Sequence, residues 1–131
     1  MKSLLWIGFY AGYVKNANLI NEKIGELMAD PEKNAFVLGE LHRRFSFEFN
    51  GMRNHEYYFK SLEGGPAPLQ SGKLKAQIEK QFVSFEQWLT LFTEIATTRG
   101  IGWAMLYLDA HTSQLTHAWV DEQHLGQLNG I

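Results

Sequence analysis

The 131-residue sequence contains no cysteine. Disulfides, thiolate catalysis, cysteine-bound zinc and iron–sulfur clusters are therefore excluded. No sign of charge dominates, because twelve basic and fourteen acidic residues leave a net charge of -2. A nucleic-acid partner would show as a clustered basic excess, so none is expected. No apolar run approaches the ~18 residues that span a bilayer, so no membrane partner is expected either. His-Glu-x-x-His, a glycine-rich phosphate loop, Gly-x-Ser-x-Gly and internal repeats are all missing. The apolar stretch at residues 3–14 carries Trp6, Phe9, Tyr10 and Tyr13, with no small-x-small cleavage pattern behind it. That argues against a secretion signal and is compatible with a cytoplasmic protein.

What is present is an ordinary globular balance: 45% hydrophobic and 20% charged residues, enough for a packed core at this length. Residues 4–28 read as one amphipathic helix. Trp6, Tyr10, Tyr13, Ala17, Ile20, Ile24 and Leu27 recur at alternating steps of four and three. Asp30-Pro31 is a helix start signal, an N-cap followed by a residue suited to the first helical position. The second helix is expected to run from there to about Leu62, along a seam of Leu38, Leu41, Phe45, Glu48, Met52, His55, Phe59 and Leu62. Two seamed helices joined by a short turn make an antiparallel hairpin.

Glu63-Gly64-Gly65-Pro66-Ala67-Pro68 breaks the periodicity and marks a boundary. It separates an N-terminal α-hairpin domain, 1–63, from a partial C-terminal α/β domain, 64–131. In the latter, a helix is expected from Ser71 to about Phe82. Ser84-x-x-Gln87 is a capping-box signal for another through Thr98, stopped by Gly100. Residues 103–109 and 114–120 are apolar and β-favouring and predict an antiparallel hairpin. The fold class is α+β. The end at Leu128-Asn129-Gly130-Ile131 has no polar tail, and the chain is expected to be cut from something longer.

Among the five histidines, His42 falls on a charged helical surface, His111 in a turn and His117 on a strand. Each reads as a solvated or internally satisfied side chain. His55 differs, because it occupies a core-seam position two turns from Glu48. An inward imidazole is a ligand candidate for manganese, iron, zinc or copper, or else a buried histidine bonded to a carbonyl or a facing tyrosine. Met52 stands where a ferritin-like Glu-x-x-His motif would place its glutamate, so that bundle is excluded. Spacing alone ends at an α+β domain with a possible metal ligand.

Longer motifs go further. Asn54-His55-Glu56-Tyr57-Tyr58-Phe59, then Gly64-Gly65, then Gly72-Lys73-Leu74 resemble the iron/manganese superoxide dismutase family. That family shows Asn-His-x-x-Tyr-Trp at the end of its second long helix, a Gly-Gly loop and a Gly-Lys-Leu helix start. Tyr13-Val14-x-x-x-Asn18, Phe82-Val83-Ser84-Phe85, Phe92-Thr93-Glu94 and Gly102-Trp103-Ala104 follow the same family in order. The resemblance implies disproportionation of superoxide anion at a mononuclear manganese or iron site, and a homo-oligomeric or self-associating protein. It makes His55 a metal ligand, Tyr13 the tyrosine at the mouth of the substrate funnel, Tyr58 its motif neighbour and Trp103 the indole beside the site. Family members hold metal-bound solvent with a glutamine. Iron-type members place it on the second helix, where this chain has Gly51. Manganese-type members place it after the second strand, where Gln123 falls, with His124 a rival one residue on. Gly51 with Gln123 implies the manganese type.

The family's ligand set is three histidines and one aspartate. Leu5 stands where the first-helix histidine belongs, and Phe9 and Tyr10 replace the His-His of its His-His-x-x-Tyr-Val pattern. The Asp-x-Trp-x-x-His motif that supplies the last two ligands would lie beyond residue 131. The expectation is an incomplete metal site of doubtful occupancy, with little or no activity in this chain alone. The alternative is a non-catalytic helical binding or structural module derived from the family.

Overall fold

The computed structural model describes residues 5–126. The chain divides into two compact units between Glu63 and Gly64. The secondary structure is α+β, as the periodicities require.

In the first unit, a π-helical turn, Leu5–Tyr10, leads into α1, Ala11–Leu27, and a longer helix, α2, spans Ala35–Ser61. The expected helix start at residue 4 and the Trp6 side chain lie outside the described residues. The wider π turn shifts side chains off the 3.6-residue phase ahead of Ala11. Contacts between the helices run in opposite order along the chain. Asn16 reaches Glu48, Tyr13 packs on His55, and Tyr10 meets Glu56, so the hairpin is antiparallel. Ala17 and Ile20 of α1 and Leu38 of α2 are buried along its apolar seam. Leu62, expected to close the seam, is exposed beyond the last turn of α2.

The second helix does not begin at Asp30-Pro31. Residues 28–34 form turns, and α2 starts at Ala35. Asp30 does cap, but it caps a turn: its carboxylate accepts from the Lys33 amide at 3.2 Å. Asn34 then donates its side-chain amide to the carbonyls of Leu27, 3.1 Å, and Asp30, 2.9 Å. The first occupies a carbonyl that the end of α1 leaves without a helical partner, the second a carbonyl of the turn itself, and together they set the connection and delay the new helix by one turn.

In the second unit, α3 covers Lys73–Phe82 and α4 covers Phe85–Ala96. Only half of the expected capping box forms. Ser84 accepts from the Gln87 amide at 3.1 Å, while the Ser84 amide donates to the Phe82 carbonyl at 2.8 Å instead of meeting the Gln87 side chain. That bond closes a tight turn on Val83, whose φ is 70°. The strands are β1, Gly102–Leu108, and β2, Leu115–Asp121, paired antiparallel with Trp103 opposite Val120 and Leu106 opposite His117. The boundaries differ by one residue from those expected because Asp109 is taken by the turn. Its carboxylate accepts from the His111 amide and the Thr112 hydroxyl, each at 2.8 Å. Gln81 of α3 ties the start of β2: it donates to the Leu115 carbonyl at 2.6 Å and accepts from the Leu115 amide at 2.9 Å. Ile78 and Val120 are fully buried.

Candidate functional site

His55 points into the hairpin and is 7% exposed. The backbone of its own helix orients it, with Nδ1 lying 2.7 Å from the Gly51 carbonyl one turn earlier. A carbonyl only accepts, so Nδ1 carries the proton in the neutral ring and Nε2 keeps its lone pair. Metal-ligating histidines are commonly oriented in this way.

Tyr13 of α1 faces this imidazole, with ring centroids 5.3 Å apart, and meets Phe47 edge-on at 6.0 Å. The approach depends on Gly51. A Cβ at that position would stand 2.7 Å from Cδ1 of Tyr13, well inside van der Waals contact. The missing side chain of one helix is thus the seat of a ring from the other. Phe59 completes this wall, 6.0 Å from His55 and edge-on to Tyr10. Tyr10, in the place of a family histidine, donates to Glu56 at 3.0 Å. Burial, then that carboxylate, pushes its hydroxyl above the ordinary tyrosine value.

Tyr58 is 43% exposed and lies beside Phe59, on the outer side of α2. Glu48 shares the seam with His55 and is 2% exposed. Its carboxylate is held by Arg44 at 2.7 Å, with the Asn16 amide at 3.5 Å. That engagement makes Glu48 a structural acid of the hairpin.

In the second unit, Trp103 of β1 donates its indole N–H to Oε1 of Gln123 at 2.9 Å, and Gln123 is 6% exposed. The bond fixes which end of the amide is carbonyl and which is NH₂. His124, the rival one residue on, is half-buried.

The structure therefore brings together Tyr13 with His55, and Trp103 with Gln123. Each pair lies within its own unit. Asn54, which flanks His55 in the sequence, is buried beside it at 1% exposure, while Phe47 was not singled out from sequence as part of the imidazole's surroundings. The signal for Asn54 was its place in the Asn-His motif, whereas Phe47 is one residue off the seam and had none. His117 departs from its expected solvated or satisfied state, since its Nε2 is buried without a hydrogen-bond partner. Among the described residues, no group of three His, Cys, Asp or Glu side chains comes together that could hold a metal ion. No described helix is long and apolar enough to cross a membrane.

Residues 70–129 match the family model of the iron/manganese superoxide dismutases, C-terminal domain. The chain is 35% identical over 101 residues to a manganese superoxide dismutase of Mycobacterium celatum, covering 76% of this chain and 72% of that protein. It is 32% identical over 114 residues to an iron superoxide dismutase of Saccharolobus solfataricus, covering 82% of this chain and 53% of that one. An iron superoxide dismutase of Cupriavidus metallidurans is 35% identical over 116 residues, with 86% of this chain and 57% of the relative covered. The chain thus spans little more than half the length of several curated relatives it matches.

Proposed function

The chain belongs to the iron/manganese superoxide dismutase family, and on that premise we propose that it carries part of a superoxide-disproportionating site, with His55 as a metal ligand. One observation supports this reading above the others. The contact between Nδ1 of His55 and the Gly51 carbonyl leaves Nε2 as the donor atom on a buried, oriented ring. Neutral imidazole suits manganese and iron alike. Bound there, such an ion would supply one-electron exchange with superoxide. The chain's own contribution is to hold the ring, wall it with Tyr13 and Phe59, and limit solvent at that face.

The second part of the proposal is the manganese type. A glutamine at position 51 would collide with Tyr13 through its Cβ alone, so the solvent-holding amide falls to Gln123. Gln123 is preferred to His124 because Trp103 orients its amide. Tyr13, Tyr58 and Trp103 take the roles the family resemblance implies, and the protein is assigned to the cytoplasm. The hairpin, 1–63, and the remainder, 64–131, are proposed as separate domains.

One imidazole does not hold a redox ion. A lone histidine contact exchanges with water, and several ligands with their supporting bonds are needed to fix geometry. The described residues therefore do not by themselves fit a resident metal. This favours a second reading, a non-catalytic helical module, for the chain on its own.

Metal analysis separates these readings. After loading with Mn(II) or Fe(II) and desalting, the purified chain should retain well under one metal per chain, with superoxide disproportionation near background. His55→Ala should remove the residue of binding. A full equivalent of metal with strong activity would overturn the incomplete site. Equal retention by wild type and His55→Ala would overturn the ligand role and leave the non-catalytic module.

A further inference from the structure

His117 takes no part in the proposed site, yet its surroundings are unusual for a histidine. It lies on β2 opposite Leu106. Its ring packs against Phe82 of α3 at 5.0 Å and against Phe92 and Trp88 of α4 at 5.8 and 6.4 Å, the last nearly parallel at 27°. Two polar atoms are buried here without hydrogen-bond partners, Nε2 of His117 and Nε1 of Trp88. Burial holds the imidazole below the ordinary histidine value, and no charged neighbour contributes.

The charges on the surrounding elements bear this out. Lys73, Glu79 and Lys80 of α3 are exposed, and Lys75 turns toward Glu79 at 3.9 Å. Glu86 and Glu94 of α4 are exposed, as is Asp121 at the end of β2, and β1 carries no charged residue. Among the described residues, no carboxylate is placed to receive a second imidazole N–H. The ring is half-buried, and protonation would leave the buried Nε2–H without an acceptor and hold part of the charge out of water. The ring faces offer some cation–π attraction, but they do not replace lost hydration.

We propose that His117 is an acid-sensitive latch of the second unit: its neutral ring closes the aromatic wall of Phe82, Trp88 and Phe92, and its protonation opens that wall. The sign follows from linkage. The folded unit binds this proton less readily than the unfolded chain does. The latch's contribution is therefore complete above the unfolded value of about 6.5 and declines as pH falls toward the lower folded value. The total loss is bounded by how far the folded value lies below the unfolded one. Opening would expose the apolar faces of α3 and α4.

The test uses the full chain. Imidazole C–H resonances are followed by NMR from pH 8 downward, with near-UV circular dichroism reporting tryptophan packing. His117 should titrate below the ordinary histidine value, and the near-UV signal should fall over the same range. In His117→Leu, which cannot titrate, that acid transition should vanish. A titration of His117 at or above the ordinary value would overturn the proposal. So would an unchanged transition in His117→Leu. If the leucine variant does not fold, the wild-type titration alone decides.

Discussion

Two single positions show how backbone and side-chain demands meet in this chain. At Gly51 the demand comes from a neighbour. Tyr13 occupies the volume a Cβ would need, at 2.7 Å, and the tyrosine ring is pinned between Phe47 and His55. Gly51→Ala should cost about 1–3 kcal/mol through overpacking, read as a lower urea midpoint with unchanged slope. At Val83 the demand is conformational. A β-branched residue sits at φ 70°, ψ −47°, closing a three-residue turn that is rare and strained for such a side chain. The valine is 80% exposed, so little packing would be lost on its removal. Val83→Gly should therefore stabilise the chain by about 0.5–1 kcal/mol, seen as a rise in Tm. Spacing on the helix identified His55 and Glu48 as inward. It could not distinguish the acid paired with Arg44 one turn earlier from the imidazole whose Nδ1 meets the Gly51 carbonyl, because each outcome depends on the rotamer the folded helix selects.

Elements begin and end where local side chains outbid the regular ladder. The start of α2 moved from Asp30-Pro31 to Ala35 because Asp30 and Asn34 spend their polar groups on the intervening turn. A capping signal names a residue that prefers to accept from a nearby amide, and a tight turn satisfies that preference as well as a helix does. The capping box at Ser84 was legible in its forward half for the same reason. Its return half was lost to the turn at Val83. Gln81 was silent in sequence, since a glutamine in a helix looks like a solvated surface residue. In the fold it reaches both backbone groups of Leu115, extending the hydrogen-bond ladder of β2 onto α3. Gln81→Ala should leave that buried amide and carbonyl unpaired, cost about 1–3 kcal/mol, and speed hydrogen exchange at the Leu115 amide.

At the scale of the molecule, two compact units meet at Glu63 and Gly64, and residues 62–68 between α2 and α3 are exposed. Limited proteolysis should nick first within this Gly- and Pro-rich stretch and release two fragments near 7 kDa each, the size expected of half the 15.0 kDa chain. First cuts inside α2 or α4 would count against separate domains. Large apolar side chains also remain in solvent, among them Phe36 at 91% and Ile101, while the described sheet has only two strands. Each strand of such a sheet has one edge without a neighbour. The chain is accordingly expected to self-associate at micromolar concentration. Light scattering checks this, and a monodisperse monomer would oppose it.

The order of residues was enough for much of this protein. Alternating three- and four-residue steps specified a helical hairpin, two β-favouring runs specified an antiparallel pair, and a series of motifs pointed to the family. These features are local, so they survive in a one-dimensional reading. The tautomer of His55, the seat of Tyr13 over Gly51, the Trp103–Gln123 bond and the aromatic surroundings of His117 came only with folding. Each requires atoms from distant parts of the chain, or a side chain and a carbonyl one turn away, to reach contact distance. Burial and hydrogen-bond satisfaction exist only once those partners have met.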